Sequence, residues 1–395
     1  MNKKVHNRKK SIIQVYARAV FSDYSTWTIV AAAIGSLVGM IIAFIKDNDF
    51  APLAVITLIS SIVILLIKSI LNIVTNVSDT NAYFYVQDDE EYKTKAIEKV
   101  KDSLPSNYKV IGNHNIGHIF YDEEVNNFIM NNDISLNVSK ERYTLPKDLR
   151  SLLPFVLKQT LKGKKVFTDD KKVCLQTDIE VGVKFVSVRQ ATYYDGQVTS
   201  EQSSKRIRSR RDLRFKFNGI DLIYDFDINK VKSLSNNSLA NRIGGSTLAI
   251  TSDNYAVISI QGNINLLNAG KYVVTGSGSM DYKDLKGCKT LQQFLIKGIE
   301  RELHEESSAG FAIKETKLIG YGRIIERGTK PEFFGITYLT CSKDELRQQF
   351  DNKNKERKIG LVDDIIFVPI NSLKEFIEKN KTFISLQLLI YKELL

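Results

Sequence analysis

The chain has 395 residues, 43% of them hydrophobic and 26% charged, with a formal net charge of +11. Eight basic and three acidic residues fall within positions 1–76, so the excess left for the rest of the chain is modest and gives no argument for a polymeric nucleic acid partner. Three widely spaced cysteines, Cys174, Cys288 and Cys341, with no C-x-x-C pair, exclude a disulfide framework and a zinc ribbon and suit a reduced chain.

Residues 1–25 form a basic segment with Lys3, Lys4, Arg8, Lys9, Lys10 and Arg18. Residues 26–76 then hold two uncharged stretches, Trp27 to Ile45 and Phe50 to Ile67, of nineteen and eighteen residues. At 1.5 Å per residue each reaches about 27–29 Å, close to the hydrocarbon thickness of a bilayer. Two transmembrane helices are expected, and the second span following at once argues against a cleaved signal peptide. The connecting turn, Lys46 to Asp49, carries a single Lys, so the excess of basic residues before the first span places both termini in the cytoplasm and the soluble bulk in the cytosol. An anionic lipid surface accounts for the basic segment. Gly35 and Gly39 form a G-x-x-x-G within the first span. Such a small-residue face lets helices approach closely, either between chains in a homo-oligomer or between the two spans of one chain.

Residues 77–164 read as a helical connector region. Asp88-Asp-Glu-Glu91 suits the start of a helix that ends before Pro105. His114 and His118 are four apart, but Gly112 and Gly117 argue against a helix there, and ligand count falls short of a metal site. From Lys165 the pattern turns to strands: Val173 to Gln176, Val181 to Tyr194, Asp212 to Phe217 and Ile220 to Tyr224. Between them Lys205 to Arg211 is a basic run, read as a loop. Its arginines Arg206, Arg208, Arg210 and Arg211 could grip phosphates, although charge runs between strands are more often solvated. Further strands are expected at Thr247 to Thr251, Tyr255 to Ile260, Tyr272 to Thr275, Leu318 to Ile325, Phe333 to Leu339 and Ile365 to Ile370, with a last amphipathic helix from Phe383. Strands and helices in this order suit a mixed sheet covered on both faces.

Within 287–309 lies the densest chemistry. Glu302, Glu305 and Glu306 stand at i, i+3 and i+4, so on a helix they share one face. Like charges repel there, and the negative end of the helix dipole disfavours them further. A divalent cation such as Mg²⁺ reverses the sign of that argument. The stretch resembles the Nudix box, G-x5-E-x7-R-E-U-x-E-E-x-G-U with U aliphatic. Gly287, Arg301, Glu302, Leu303, Glu305 and Glu306 fall in register, while Gln293 replaces a Glu and Ser308 a Gly. The resemblance implies an α/β fold, a Nudix α/β/α sandwich over residues 165–395, with Mg²⁺ held by Glu302, Glu305 and Glu306 against a nucleoside diphosphate derivative. It makes Arg301 and Glu305 the catalytic candidates, Arg301 by orienting the acidic cluster, and Gly287, Gln293, Leu303 and Ser308 the scaffold. The first Glu of the box helps hold that cluster together, and Gln293 cannot accept a proton at neutral pH.

Together with Val188 to Asp195, Gly276-Ser-Gly-Ser279 and the two-span front end, the chain is similar to the CD-NTase-associated Nudix effectors of bacterial anti-phage (CBASS) signalling. That resemblance implies a domain that binds a cyclic nucleotide made by a CD-NTase as activating ligand, and a hairpin that damages the inner membrane as a two-pass protein. The other reading is a membrane-tethered, Mg²⁺-dependent hydrolase of nucleoside diphosphate derivatives. Gln293 and Ser308 favour the first, and the intact acidic triplet keeps the second.

Overall fold

The structure, a computed structural model, describes residues 84–394 apart from 88–89, 151, 154, 157–158, 160–168, 211–213, 264–267 and 359. Its centre is a nine-stranded sheet. The strands are β1 (Tyr108–Asn113), β2 (Gly117–Asp122), β3 (Gly244–Ile250), β4 (Tyr255–Gln261), β5 (Tyr272–Val274), β6 (Gly278–Ser279), β7 (Ile313–Ile324), β8 (Lys330–Leu339) and β9 (Val362–Pro369). They run in the order β5-β4-β3-β8-β7-β2-β1, with β6 paired to β3 and β9 to β4. The sheet is mixed: β3 and β8 are parallel, from Gly244 opposite Glu332 to Ile250 opposite Tyr338, whereas β7 and β8 are antiparallel. All seven residues of β3 are buried. Burial on both faces explains its unbroken apolar and small-residue run.

Helix α1 (Glu90–Asp102) begins on two acidic residues and ends on basic ones, as the helix dipole favours. Helix α2 (Glu123–Asn131) is capped by Asp122, whose carboxylate accepts the N–H groups of Glu124 and Val125. Helix α3 (Leu291–Ser307) covers one face of the sheet. Its Leu291, Phe294, Leu295 and Ile299 recur at helical spacing and join Phe333 of the sheet, Ile243 just ahead of β3, and Val173, Val186 and Val188 beyond it in one core. Each such side chain contributes about 1.5–3 kcal/mol by leaving water. On the opposite face Phe334 and Ile336 meet Leu388, Ile390 and Tyr391 of a C-terminal helix, α4 (Leu386–Leu394). Tyr391 anchors that layer by donating its hydroxyl to the carbonyls of Ser246 and Gly335.

The expected sandwich preceded by a transmembrane hairpin needs correction. The fold is mixed α/β with four sheets among the described residues, and no helix among them is long and apolar enough to cross a membrane. The bilayer-length stretches Trp27 to Ile45 and Phe50 to Ile67, with Gly35 and Gly39, lie outside the described residues. A two-pass inner-membrane location therefore has no support in the structure, in which the longest helix described, α3 with 17 residues, is amphipathic and packed on a sheet.

Two smaller sheets flank the large one. Ser135–Arg142, Phe185–Thr192 and Lys171–Leu175 form one, with Phe185–Thr192 in the middle. Phe84–Gln87, Arg206–Ser209 and Lys216–Asn218 form the other. The basic run expected as a loop is thus partly a strand, with Ile207 fully buried between Arg206 and Arg208. The expected strand at Ile220 to Tyr224 is mostly a short 3-10 turn, Gly219–Leu222, whose Ile220 N–H is held by the Tyr92 hydroxyl. The hairpin of β1 and β2 brings His118 to Glu326, with Nδ1 2.7 Å from Oε1, so His118 serves a packed hydrogen bond. All three cysteines are free.

Candidate functional site

Helix α3 is entered through Gly287, whose φ of 83° turns the chain into the helix. Thr290 caps it, accepting the Gln293 N–H at 3.3 Å. The side chain of Gln293 reaches back to accept the Lys289 N–H at 2.9 Å. Gln293 therefore secures the entry loop. Leu303 is fully buried against Ala249, Val257, Leu346 and Phe350, which fixes the helix rotation. At the other end Ser308 adopts φ 65°, the left-handed conformation that the Nudix pattern assigns to glycine. Asn354 steadies it: its amide donates to the Glu306 carbonyl at 2.9 Å and to Ser308 Oγ at 3.2 Å. Both departures from the box are thereby accommodated locally.

Arg301 is the hub. Its guanidinium donates to both oxygens of Asp284 and, through Nη1 at 2.8 Å, to Glu302. Asp281 and Glu305 lie 3.9 and 3.5 Å from Nη1. Burial works against the Arg301 charge, but Glu302, Asp284 and Asp281 outweigh it and hold the guanidinium above its ordinary value. Asp281 is buried too, yet Lys172 and Arg301 hold its carboxyl below the ordinary range. Lys172 approaches Asp281 at 2.5 Å. Asp284 thus braces Arg301, while Gln293, at the position of the box's first Glu, bonds to the Lys289 N–H. A sequence signal existed: Asp281 and Asp284 form a capping box just ahead of Gly287.

Of the three helical carboxylates, Glu302 and Glu305 lie beside Arg301 and Glu306 turns elsewhere. Glu302 turns to Arg301 and to the close backbone of Gly278, where a Cβ would stand 2.2 Å from the Glu302 carboxyl carbon. Only glycine permits that approach. Glu306, almost fully buried, accepts the N–H groups of Gly276 and Ser277 at 2.6 and 3.1 Å. Glu305 is more exposed and lines a separate cavity of about 570 Å³ with His304, Phe311, Lys355 and Glu356. Burial pushes the Glu302 carboxyl up, with Arg301 and Lys172 opposing. Burial, then the charges of Glu356 and Glu302, push Glu306 well above the ordinary range despite its two backbone hydrogen bonds. Among the described residues no three His, Cys, Asp or Glu side chains converge as a metal-binding group. Of the expected Mg²⁺ triplet, Glu302 and Glu305 both lie beside Arg301 Nη1, at 2.8 and 3.5 Å, while Glu306 is turned to the Gly276 and Ser277 backbone.

The expected phosphate-binding arginines are used structurally. Arg206 lies over the Tyr92 ring at 4.5 Å, and Arg210 over Tyr85 at 4.9 Å. Arg208 donates to the Phe217 carbonyl and the Asn218 amide oxygen, both at 3.0 Å. Arg211 lies outside the described residues. The stretch Val188 to Asp195 ends its strand in a capping box, Thr192 with Asp195, and then opens the short helix Tyr193–Val198. Tyr193 supports the fully buried Arg242 at 4.5 Å. Arg242 and Arg327 share Glu201, with Arg327 Nη2 at 2.6 Å and Arg242 Nη2 at 3.2 Å. Residues so distant in sequence gave no pattern to read.

No family model matches the chain, and no curated protein does. Among solved structures it is similar to the crystal structure of Tm1382, a candidate Nudix hydrolase, at 14% identity and a TM-score of 0.27, over 38% of this chain and 68% of that one. At that identity and TM-score the likeness carries no functional conclusion.

Proposed function

We propose that the chain is a Nudix-type nucleotide-recognition protein of a cyclic-nucleotide anti-phage system, one that binds its ligand without turning it over. One observation carries this reading: the box is braced by Arg301 and Asp284, while Glu306 is spent on the Gly276 and Ser277 backbone and no three acidic side chains among the described residues converge as a metal-binding group. The glycine-rich segment ahead of the box and the Val188 to Asp195 stretch support the same reading, since both serve to seat buried charge. The test is calorimetry on the full chain with a panel of 3′,5′-linked cyclic di- and trinucleotides, beside chromatography for their turnover. Saturable binding of one member with no product is expected. Absence of binding across the panel would overturn the reading.

One observation favours Mg²⁺-dependent hydrolysis instead. Burial, Glu356 and Glu302 all raise the Glu306 carboxyl, an arrangement that a cation would relieve. Product release from a nucleoside diphosphate derivative on adding Mg²⁺, lost in Glu302→Gln, would decide for it.

A further inference from the structure

A second cavity lies behind the Gly276–Ser279 segment, with the Gly278 backbone between it and Glu302. It encloses about 190 Å³ and is lined by Ser277, Ser279, Arg327, Lys330, Glu332 and Gln387, among others. Its side of the sheet follows from alternation along β8: Phe333 joins the core under α3, whereas Phe334 and Ile336 join the opposite one. Lys330 and Glu332 share the parity of Phe334 and so face away from α3. Gly244 makes room for them, since a Cβ there would stand 1.9 Å from Glu332 Oε2 and 2.0 Å from Lys330 Nζ.

Hydrogen-bond donors outnumber their acceptors around this cavity. Lys330, 2% exposed, donates to Glu332, which leaves two of its three ammonium donors unused. Arg327 uses Nε and Nη2 on Glu201 and keeps Nη1. Gln387, 7% exposed, also lines the cavity. Charge points the same way: Arg242, Arg327 and Lys330 face two carboxylates, Glu201 and Glu332, in one buried network. Burial, with Glu332 opposing and Arg327 and Arg242 adding, holds Lys330 down to about 8. An anion would relieve that strain on the ammonium.

We propose that this cavity is an anion site for the phosphate group of a nucleotide, bound by Arg327, Lys330 and the Gln387 amide. Phosphate suits it because its oxygens accept several charge-assisted hydrogen bonds at once. The site rests on the nucleotide reading only for the source of the phosphate, and it needs neither a cation nor the glutamates of α3.

The test is calorimetry on the full chain without divalent cation, with inorganic phosphate and with adenosine monophosphate as probes. Adenosine monophosphate should bind more tightly than phosphate. Gln387→Leu should weaken both by at least about fivefold, the value of one hydrogen bond. Lys330→Gln should weaken them further. Affinities unchanged in Gln387→Leu, or no saturable binding of either probe, would overturn the site. Phosphate bound as tightly as the nucleotide would overturn the nucleotide assignment. Failure of every cyclic nucleotide to bind, with these effects intact, would instead sink the messenger reading alone.

Discussion

Asp284 grips Arg301 from the turn ahead of the box, accepting its Nε at 3.0 and 3.2 Å and its Nη2 at 2.9 Å. The side chain of Asp284 is 3% exposed and that of Arg301 15%, so the pair is largely out of water. Asp284→Asn should therefore lower the unfolding free energy by about 1.5–3 kcal/mol, the worth of charge-assisted hydrogen bonds, since Glu302 still faces Arg301. Urea denaturation measures it, and a loss below about 1 kcal/mol would contradict this role.

Gln293→Glu, which restores the box, should change stability by no more than about 0.5 kcal/mol, as for a surface substitution. The side chain of Gln293 accepts from Lys289, at the opposite end of the helix from Arg301. A gain above about 1.5 kcal/mol in the same denaturation experiment would show that position 293 braces Arg301 after all.

Glu302 and Glu306 both have folded values above the ordinary carboxyl value of 4.5. The folded chain then holds protons that the unfolded chain has released, so their stabilisation is present in full below about pH 4.5 and is lost as pH rises through the folded values. Glu306→Gln resembles the protonated acid and escapes that loss. Its stability relative to the parent should grow as pH rises from 4.5 into the neutral range. A difference that stays flat, or shrinks, in denaturation curves over that window would contradict the burial argument.

Much of the large sheet was legible because its strands are continuous apolar runs, as at Thr247 to Ile250 and Phe333 to Leu339. The box was legible through spacing alone, since Gly287, Arg301 and Glu302 sit on one local element. What the spacing could not carry is the direction of each side chain. Glu306 turns to Gly276 and Ser277, thirty positions upstream, and that contact pulls it out of the expected triplet. The run from Lys205 looked like a solvated loop because its charges hide the buried Ile207 and because the rings beneath Arg206 and Arg210 come from Tyr92 and Tyr85. Ile220 to Tyr224 is apolar enough for a strand, but Gly219 packs against the backbone of Gln202 and Ser203 and turns the chain instead.

Glu201 neutralises two buried guanidinium groups, those of Arg242 and Arg327, and despite its burial their charges hold its carboxyl below the ordinary range. Glu201→Gln should cost about 3–5 kcal/mol by leaving those cations without a counter-charge. Thermal unfolding would report it as a Tm several degrees lower, and an unchanged Tm would mean that the network is compensated elsewhere.

Recognition without turnover is the central claim, and one experiment meets it directly. The full chain, with Mg²⁺ present, is incubated to saturation with the cyclic nucleotide it binds most tightly, and the ligand is recovered and analysed by mass. The account predicts intact ligand, recovered equally from the parent protein and from Glu302→Gln. Linearised or cleaved product from the parent, absent with Glu302→Gln, would contradict it and make the acidic turn a working hydrolytic site.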